Sequence, residues 1–292
     1  MLKFLKLLIY ILLSIVMLAY GLDWFYTYSY HHPIHARSKP SYVKQFDDLQ
    51  FDYALLGSSR CIYHLNPVQI TKKTGLNGIN LGYSASSPFE IKLMVHEFLK
   101  NHRPKKIFIQ IGDRYNQIEP DTLASVAWMP FLNNEYVSEE FYKWSEDADF
   151  LYYDKIPFYR YVNYEAKLGI RNVALSYFKN SNFEPQLGFS AITNGKKVHE
   201  KPRAFYTLKD KKNPHLEEII NFCESKQVKV YFFTAPFYRF SEENQNKVLI
   251  KYLTNYRDFS TIYDDPALFS DRDHLNYKGA EKFTDLFIDT YF

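Results

Sequence analysis

This 292-residue chain has few cysteines and a small net charge, and these two features argue against a disulfide-rich protein and a nucleic-acid-binding protein. The two cysteines, Cys61 and Cys223, rule out a disulfide framework and leave one bridge or two free thiols. The bridge is disfavoured because Cys223 falls within a predicted helix. A net charge of +3, with no basic stripe interleaved with aromatics, disfavours nucleic-acid binding. Apolar material is plentiful, since 46% of the residues are hydrophobic, and it suffices for one large folded domain with appendages.

An uncharged, strongly apolar run lies at the N-terminus, over residues 7–22, and follows Lys3 and Lys6. With the two apolar residues between those lysines it approaches the roughly 20 residues that a membrane-spanning helix needs. Positive charge before the run and aromatic residues 24–26 after it predict a single-pass anchor over residues 1–26. Its N-terminus is then cytoplasmic, and the rest of the chain lies on the outer side of the cell membrane.

A cleaved signal peptide is the alternative, because Ala19 and Gly21 have the small-residue spacing of a cleavage site. Either interpretation exports the folded domain to the periplasmic or extracellular face. Residues 27–50 then form a polar, aromatic linker that contains Pro33 and Pro40. We expect no metal here, since the histidines of this linker, His31, His32 and His35, have no acidic or cysteine partners at ligand spacing, and we expect no cofactor.

From residue 51 onward, short apolar runs alternate with amphipathic stretches. The predicted strands are residues 52–56, 79–81, 106–111, 228–234 and 261–263, and the predicted helices are residues 67–74, 88–99, 215–226, 241–256 and 277–291. This alternation predicts an α/β fold with a three-layer, doubly wound, flavodoxin-like parallel sheet of about five strands. The domain covers residues 51–292 and is interrupted at about 120–212 by an aromatic, proline-containing insertion that we expect to be irregular and partly helical.

Two motifs that carry chemistry lie at opposite ends of this domain. Ser59 follows the first strand in the run Gly-Ser-Ser-Arg, and Asp271 and His274 precede the last helix. A serine hydroxyl becomes a nucleophile when an imidazole takes its proton and a third group fixes the imidazole tautomer. Because ligand crevices of open parallel sheets lie at the carboxyl ends of the strands, these side chains should share one edge with Gly82 and Asn116.

Each motif also has a purely structural interpretation. Glycine and serine are common in turns, and Asp271 with His274 can form an ion pair beside a helix cap. Asp273 competes with Asp271 as the partner of His274, but a residue three positions away is better placed than an adjacent one. We assign Cys61 to the core and Asn276 to the N-cap of the last helix.

These motifs resemble the first, second and fifth sequence blocks of the SGNH (GDSL-like) hydrolase superfamily. The runs Leu-Leu-Gly-Ser-Ser-Arg at 55–60 and Phe-x-Asp-x-x-His-Leu-Asn-x-x-Gly-Ala at 269–280 are similar to membrane-anchored relatives of two kinds. One kind is the D-alanyl-lipoteichoic-acid transfer protein, and the other is the polysaccharide O-acetylation factors. The resemblance covers the α/β portion and the anchor, but not the insertion.

The resemblance implies a role for each site residue. Ser59 would be the nucleophile, His274 the general base and then the general acid, and Asp271 the group that orients the imidazole. The backbone N–H groups of Ser59 and Gly82 would hold the oxyanion. The third block of the family usually adds an asparagine within Gly-x-Asn-Asp, whereas the nearest asparagine here is Asn116, four residues after the glycine of that block.

Together these features predict an extracytoplasmic serine esterase or O-acyltransferase that acts on acyl esters of cell-envelope glycans through an acyl-Ser59 intermediate. The expected partners are the membrane, an acylated glycan or envelope polymer and a polytopic membrane O-acyltransferase, with no nucleic acid. The alternative is a catalytically weak binding module that docks such an acyltransferase, favoured by the anchor and the missing asparagine. A lipase acting on envelope lipids is a third interpretation, and it requires a long apolar groove.

Overall fold

The computed structural model describes residues 1–145, 150–193, 206–239 and 246–292. The chain forms two compact units. The helical unit consists of residues 1–45 and 126–180, and the sheet unit consists of residues 46–125 and 181–292.

The sheet unit alternates strands and helices as the sequence predicts. Its strands are β1 Tyr53–Leu56, β2 Gly78–Asn80, β3 Lys106–Gln110, β4 Lys229–Thr234 and β5 Tyr256–Asp258. Its helices are α3 Ser59–Ile62, α4 Pro67–Thr74, α5 Pro88–Asn101, α11 Pro214–Ser225, α12 Lys247–Tyr252 and α13 Tyr277–Tyr291. The helices of the other unit are α1 Leu2–His31, α2 Lys39–Val43, α6 Glu135–Trp144, α7 Phe150–Lys155, α8 Tyr159–Asn163, α9 Glu165–Leu168 and α10 Ile170–Phe178.

The five strands form one parallel sheet in the order β2-β1-β3-β4-β5, which confirms the predicted flavodoxin-like, doubly wound class. On one face Leu55, Phe108 and Phe233 pack with Phe283 and Phe287 of α13 in a single buried cluster. Helices α5 and α11 pack against each other and against β1 and β4. Strands that are covered by helices on both faces carry nearly continuous apolar runs, and such runs in the sequence predicted the central strands.

The first four predicted strands are confirmed to within one residue at each end. The fifth prediction, residues 261–263, is wrong, because β5 is Tyr256–Asp258. Helix α12 ends at Tyr252, and Asn255 adopts a left-handed conformation (φ 52°) that turns the chain directly into the strand. The predicted helix over 241–256 therefore ends early, and its residues 241–245 lie outside the described part of the chain.

The helical unit contains α1, which is long and apolar enough to cross a membrane, with a mean hydropathy of 2.3 over its most apolar window. This helix continues to His31, past the predicted boundary at residue 26, and the predicted linker over 27–50 also contains α2. The extension is stabilised by tertiary contacts, since the hydroxyl of Thr27 lies 2.8 Å from that of Tyr161. Residues 126–180 of the predicted insertion supply the short helices α6 to α10 of this unit.

Candidate active site

The turn after β1 sets the position of Ser59. Gly57 has a φ of +146°, and a Cβ built there would lie 2.7 Å from the Cβ of Gln110, so the turn admits only glycine. Ser58 follows as the N-cap of α3, and its hydroxyl donates to Gln110 Oε1 at 2.6 Å. Ser59 is therefore the first residue of α3, directly beyond the carboxyl end of β1.

The loop that carries Asp271 and His274 closes on itself before α13 begins. The Ser270 N–H donates to the His274 carbonyl at 2.8 Å, and the Asn276 N–H donates to the Leu268 carbonyl at 2.9 Å. The side-chain oxygen of Asn276 accepts from two N–H groups in the first turn of α13, so its prediction as N-cap is confirmed. A short loop with backbone bonds across it holds its side chains in fixed directions.

The structure brings the three predicted catalytic side chains together. Ser59 Oγ lies 2.8 Å from His274 Nε2, although the two residues are 215 positions apart. His274 Nδ1 lies 3.0 Å from each carboxylate oxygen of Asp271. An ionised carboxylate only accepts hydrogen bonds, so Nδ1 carries the ring proton and Nε2 is left to accept from the Ser59 hydroxyl. This is the tautomer that a general base for the serine requires.

Asp271 is held as an ionised carboxylate. Burial alone raises its pKa, but hydrogen bonds from the His274 ring and from the backbone N–H groups of Asp273 and His274 bring the pKa below its usual value. Those two backbone groups donate to Asp271 Oδ1 at 2.8 and 2.9 Å. Asp273, the alternative partner of His274, therefore contributes to the site with its backbone N–H, which donates to the Asp271 carboxylate.

Gly82 lies against α3 but already has a hydrogen-bond partner. Its N–H donates to the side-chain oxygen of Asn80 at 2.9 Å. A Cβ at Gly82 would lie 2.8 Å from the Cβ of Cys61, so glycine allows this close approach. The Asn80 amide also donates to the carbonyls of Cys61 and Leu65, each at 2.9 Å. The predicted oxyanion donor Gly82 is therefore tied by Asn80 to the helix that carries Ser59.

Asn116 has partners of its own as well. Its side-chain oxygen accepts from the Lys209 N–H at 2.6 Å, and its amide donates to the Lys209 carbonyl at 3.2 Å. Of the three predicted oxyanion donors, only the Ser59 N–H donates to no other group within the described parts of the chain.

Sequence reasoning missed His64 as a support of the site. His64 is fully buried, and its Nε2 accepts the backbone N–H of Leu275 at 3.0 Å, which fastens the His274 loop to the residues after α3. Burial lowers the pKa of His64 well below its usual value, and the nearby His274 and Arg60 lower it further, so the ring is neutral. Nothing in the sequence around His64 predicts this role, because its hydrogen-bond partner Leu275 lies 211 residues away.

Asn80, the other missed residue, did carry a signal in the sequence. It is a polar residue that ends the short apolar run of β2. Its side chain is fully buried, so it requires partners, which it finds in α3 and Gly82. Cys61, whose carbonyl is one of these partners, is a fully buried free thiol, so its prediction as a core residue is confirmed.

No family model and no curated protein matches the chain. Among solved structures, the chain is similar to a protein assigned to the G-D-S-L lipolytic family from Desulfitobacterium hafniense DCB-2, with 10% identity, 82% of this chain and 98% of that chain covered, and a TM-score of 0.38. It is also similar to a GDSL-like lipase from Bacteroides thetaiotaomicron VPI-5482, with 10% identity, 88% and 99% of the two chains covered, and a TM-score of 0.37. The chemistry of the site rests on the distances above and not on these low similarities.

Proposed function

We propose that this protein is a serine esterase or O-acyltransferase that works through an acyl-Ser59 intermediate. The observation that carries the proposal is the 2.8 Å separation of Ser59 Oγ and His274 Nε2, with the Asp271 carboxylate on the opposite side of the same ring. A nucleophile within hydrogen-bonding distance of a base that is itself oriented by a third group is the arrangement that acyl transfer needs.

In the first half-reaction, Ser59 Oγ attacks the carbonyl carbon of an ester while His274 Nε2 takes the hydroxyl proton. The imidazolium that forms is stabilised by the Asp271 carboxylate at 3.0 Å. As the tetrahedral intermediate collapses, His274 gives its proton to the departing alcohol oxygen. The products of this step are a free alcohol and an ester of Ser59.

In the second half-reaction, a hydroxyl compound attacks the acyl-Ser59 carbonyl, and His274 takes the proton of that compound. Collapse of the second tetrahedral intermediate returns the proton to Ser59 and releases the acyl group. Water as the attacking group makes the protein an esterase, and a carbohydrate hydroxyl makes it an O-acyltransferase. The same three side chains serve both outcomes.

Stabilisation of the oxyanion is the weak part of this site. The Ser59 N–H is available, whereas the Gly82 N–H must exchange its bond with Asn80 for one with the substrate. A preorganised donor typically lowers the barrier by about 3–4 kcal/mol, and a donor that has to change partners contributes less. We therefore expect modest hydrolytic rates from the protein alone.

Helix α1 supports the placement that we propose, which is a single-pass anchor with a cytoplasmic N-terminus. Acyl esters of cell-envelope glycans or polymers are then the substrates within reach on the outer side of the membrane. A polytopic membrane O-acyltransferase is the partner that the sequence resemblance favours. None of the chemistry proposed above calls for a metal or a cofactor.

A fluorophosphonate probe tests the covalent chemistry, because it labels serines that an adjacent base activates. The full chain in detergent should be labelled, Ser59→Ala should abolish the labelling, and Ser58→Ala should retain it. Ser58 is the matched control, since its hydroxyl is occupied with Gln110 and is only one residue away. Loss of label in Ser58→Ala together with retention in Ser59→Ala would overturn our assignment of the nucleophile.

A catalytically weak binding module is the second candidate, and the occupied N–H of Gly82 favours it. Such a module would present an acylated glycan to its membrane partner without forming an acyl-enzyme. Wild-type protein that is folded by circular dichroism but takes up no probe would support this module and contradict the esterase.

A further inference from the structure

One segment of the helical unit is fixed to α1 where the apolar run of that helix ends. Residues 2–18 of α1 are exposed, and the first partly buried residue is Ala19. Four residues further on, the Asp23 carboxylate accepts the backbone N–H of Phe158 at 2.8 Å and the guanidinium of Arg160 at 3.0 Å. The Arg160 side chain is only 7% exposed in this pair, so the attachment is well enclosed.

Around this attachment point, α7, α8 and the turn between them expose large apolar side chains. Leu151 is 51% exposed, Tyr152 47%, Ile156 44% and Val162 61%. Four such residues within twelve positions form an apolar band, which we define as residues 151–162. Exposed apolar side chains at this density along a folded segment indicate a contact with a partner or a membrane, and the exposed Lys155 among them can reach lipid head groups.

The geometry of α1 gives the depth of this band relative to a bilayer. An α-helix rises 1.5 Å per residue, so residues 4–22 span about 28 Å, close to the roughly 30 Å thickness of a hydrocarbon core. Asp23 then lies at the boundary between acyl chains and head groups. Tyr20 and Trp24 of α1, which are 62% and 68% exposed, lie at this same level. Aromatic side chains favour that boundary.

We propose that the apolar band at residues 151–162 is a second membrane contact, which lies in the head-group layer of the bilayer that α1 spans. This inference rests on the anchor in the proposed function, but not on its chemistry. The occupant is lipid because Phe158 and Arg160, which lie within the band, bind α1 at Asp23 and Thr27, in the first turns after the span ends. Its apolar side chains then enter the boundary region, as those of an interfacial helix do.

A site-directed fluorophore tests this contact in the full chain reconstituted in phospholipid nanodiscs. An environment-sensitive dye is attached through maleimide to Ile156→Cys. The native thiols Cys61 and Cys223 are buried, and burial raises the pKa of Cys223 to about 12, so both react slowly. We expect a blue-shifted emission that is quenched by lipids with a spin label near the head group.

Two matched positions serve as controls. Phe178→Cys probes an 84% exposed apolar residue of the same unit, whose neighbour Tyr177 bonds to Ser29, about 9 Å further along α1 than Asp23. Its dye should report water and show no quenching. Leu12→Cys probes the middle of the span and should be quenched by lipids labelled deep in the acyl chain.

The outcomes separate this inference from the proposed function. A water-like dye at Ile156 combined with an embedded dye at Leu12 would overturn the lipid contact and leave the anchor standing. A blue shift at Ile156 without lipid quenching would also overturn it, since a protein surface would then cover the band. Water-like dyes at both positions would contradict the anchor itself. Fluorophosphonate labelling of the same variants reports on the Ser59 chemistry independently.

Discussion

Replacing Asp271 with asparagine gives the sharpest test of the candidate site, because it removes a charge while almost preserving shape. Oδ1 of Asp271 accepts two backbone N–H groups, at 2.8 and 2.9 Å, and an asparagine oxygen would keep both bonds. The amide NH2 then takes the place of Oδ2, so that His274 Nδ1 keeps one of the two oxygens that lie 3.0 Å from it, the uncharged Oδ1 already shared with two backbone N–H groups, and faces a donor where the second oxygen was. A donor at that position favours the ring tautomer with its proton on Nε2, which cannot accept from Ser59.

We expect Asp271→Asn to lower kcat for a chromogenic acetate ester by about 10³–10⁴-fold near neutral pH, as loss of the orienting carboxylate does in serine triads. That factor corresponds to about 4–5.5 kcal/mol of transition-state stabilisation. KM should change little, because Asp271 does not lie between the ring and the ester. Steady-state rates and the rate of fluorophosphonate labelling should fall in parallel.

Asp273→Asn is the matched control, two residues away in the same loop, and it should retain activity within about threefold. Near-identical circular dichroism spectra would show that both variants fold. Activity of Asp271→Asn within tenfold of wild type would refute the tautomer argument. A large loss in Asp273→Asn alone would move the orienting role to the other carboxylate.

Three further outcomes follow from residues around the candidate site. Below about pH 6.5, His64 is protonated in the unfolded chain but stays neutral in the buried native site, because burial lowers its pKa. The free energy of unfolding should therefore decrease as the pH is lowered, by up to about 1.4 kcal/mol per pH unit. His64→Gln keeps an acceptor for the Leu275 N–H and should flatten this slope in urea titrations. Asn80→Ala removes the buried hydrogen bonds of that side chain to Cys61, Leu65 and Gly82, so the free energy of unfolding should fall by about 2–4 kcal/mol in thermal and urea unfolding. An unchanged stability would contradict the role given to Asn80. Asn116→Ala should change kcat less than threefold, since both polar groups of that side chain are bound to Lys209, whereas a loss above 100-fold would restore Asn116 as an oxyanion donor.

The parts of the fold that sequence predicted well are those whose signal is local. The runs that became β1 to β4 are apolar and mostly buried, and glycine or proline punctuates the segments around them. The short strand β5 was not predicted because it lies at the edge of the sheet, where Arg257 and Asp258 are exposed and Tyr256 is only partly buried. Its strand conformation depends on pairing with β4, and its sequence contains no apolar run that would predict a strand.

The candidate site divides in the same way. Ser59, Asp271 and His274 could be placed at one edge of the sheet because each follows a predicted strand or precedes a predicted helix. The partners of Gly82 and Asn116 could not be foreseen, since they depend on which buried polar groups meet after folding.

The bond between Gly82 and Asn80 links the strength of the proposed oxyanion site to the position of α3. Asn80 holds the carbonyls of Cys61 and Leu65 with its amide while its oxygen holds the Gly82 N–H. Any substrate that draws this N–H toward its own oxyanion must compete with a neutral amide oxygen. A negatively charged oxyanion attracts the N–H more strongly than a neutral ester carbonyl does, so the exchange favours the transition state over the bound substrate. A donor that is occupied in the resting protein can therefore still contribute to catalysis, and its contribution should appear in kcat more than in KM.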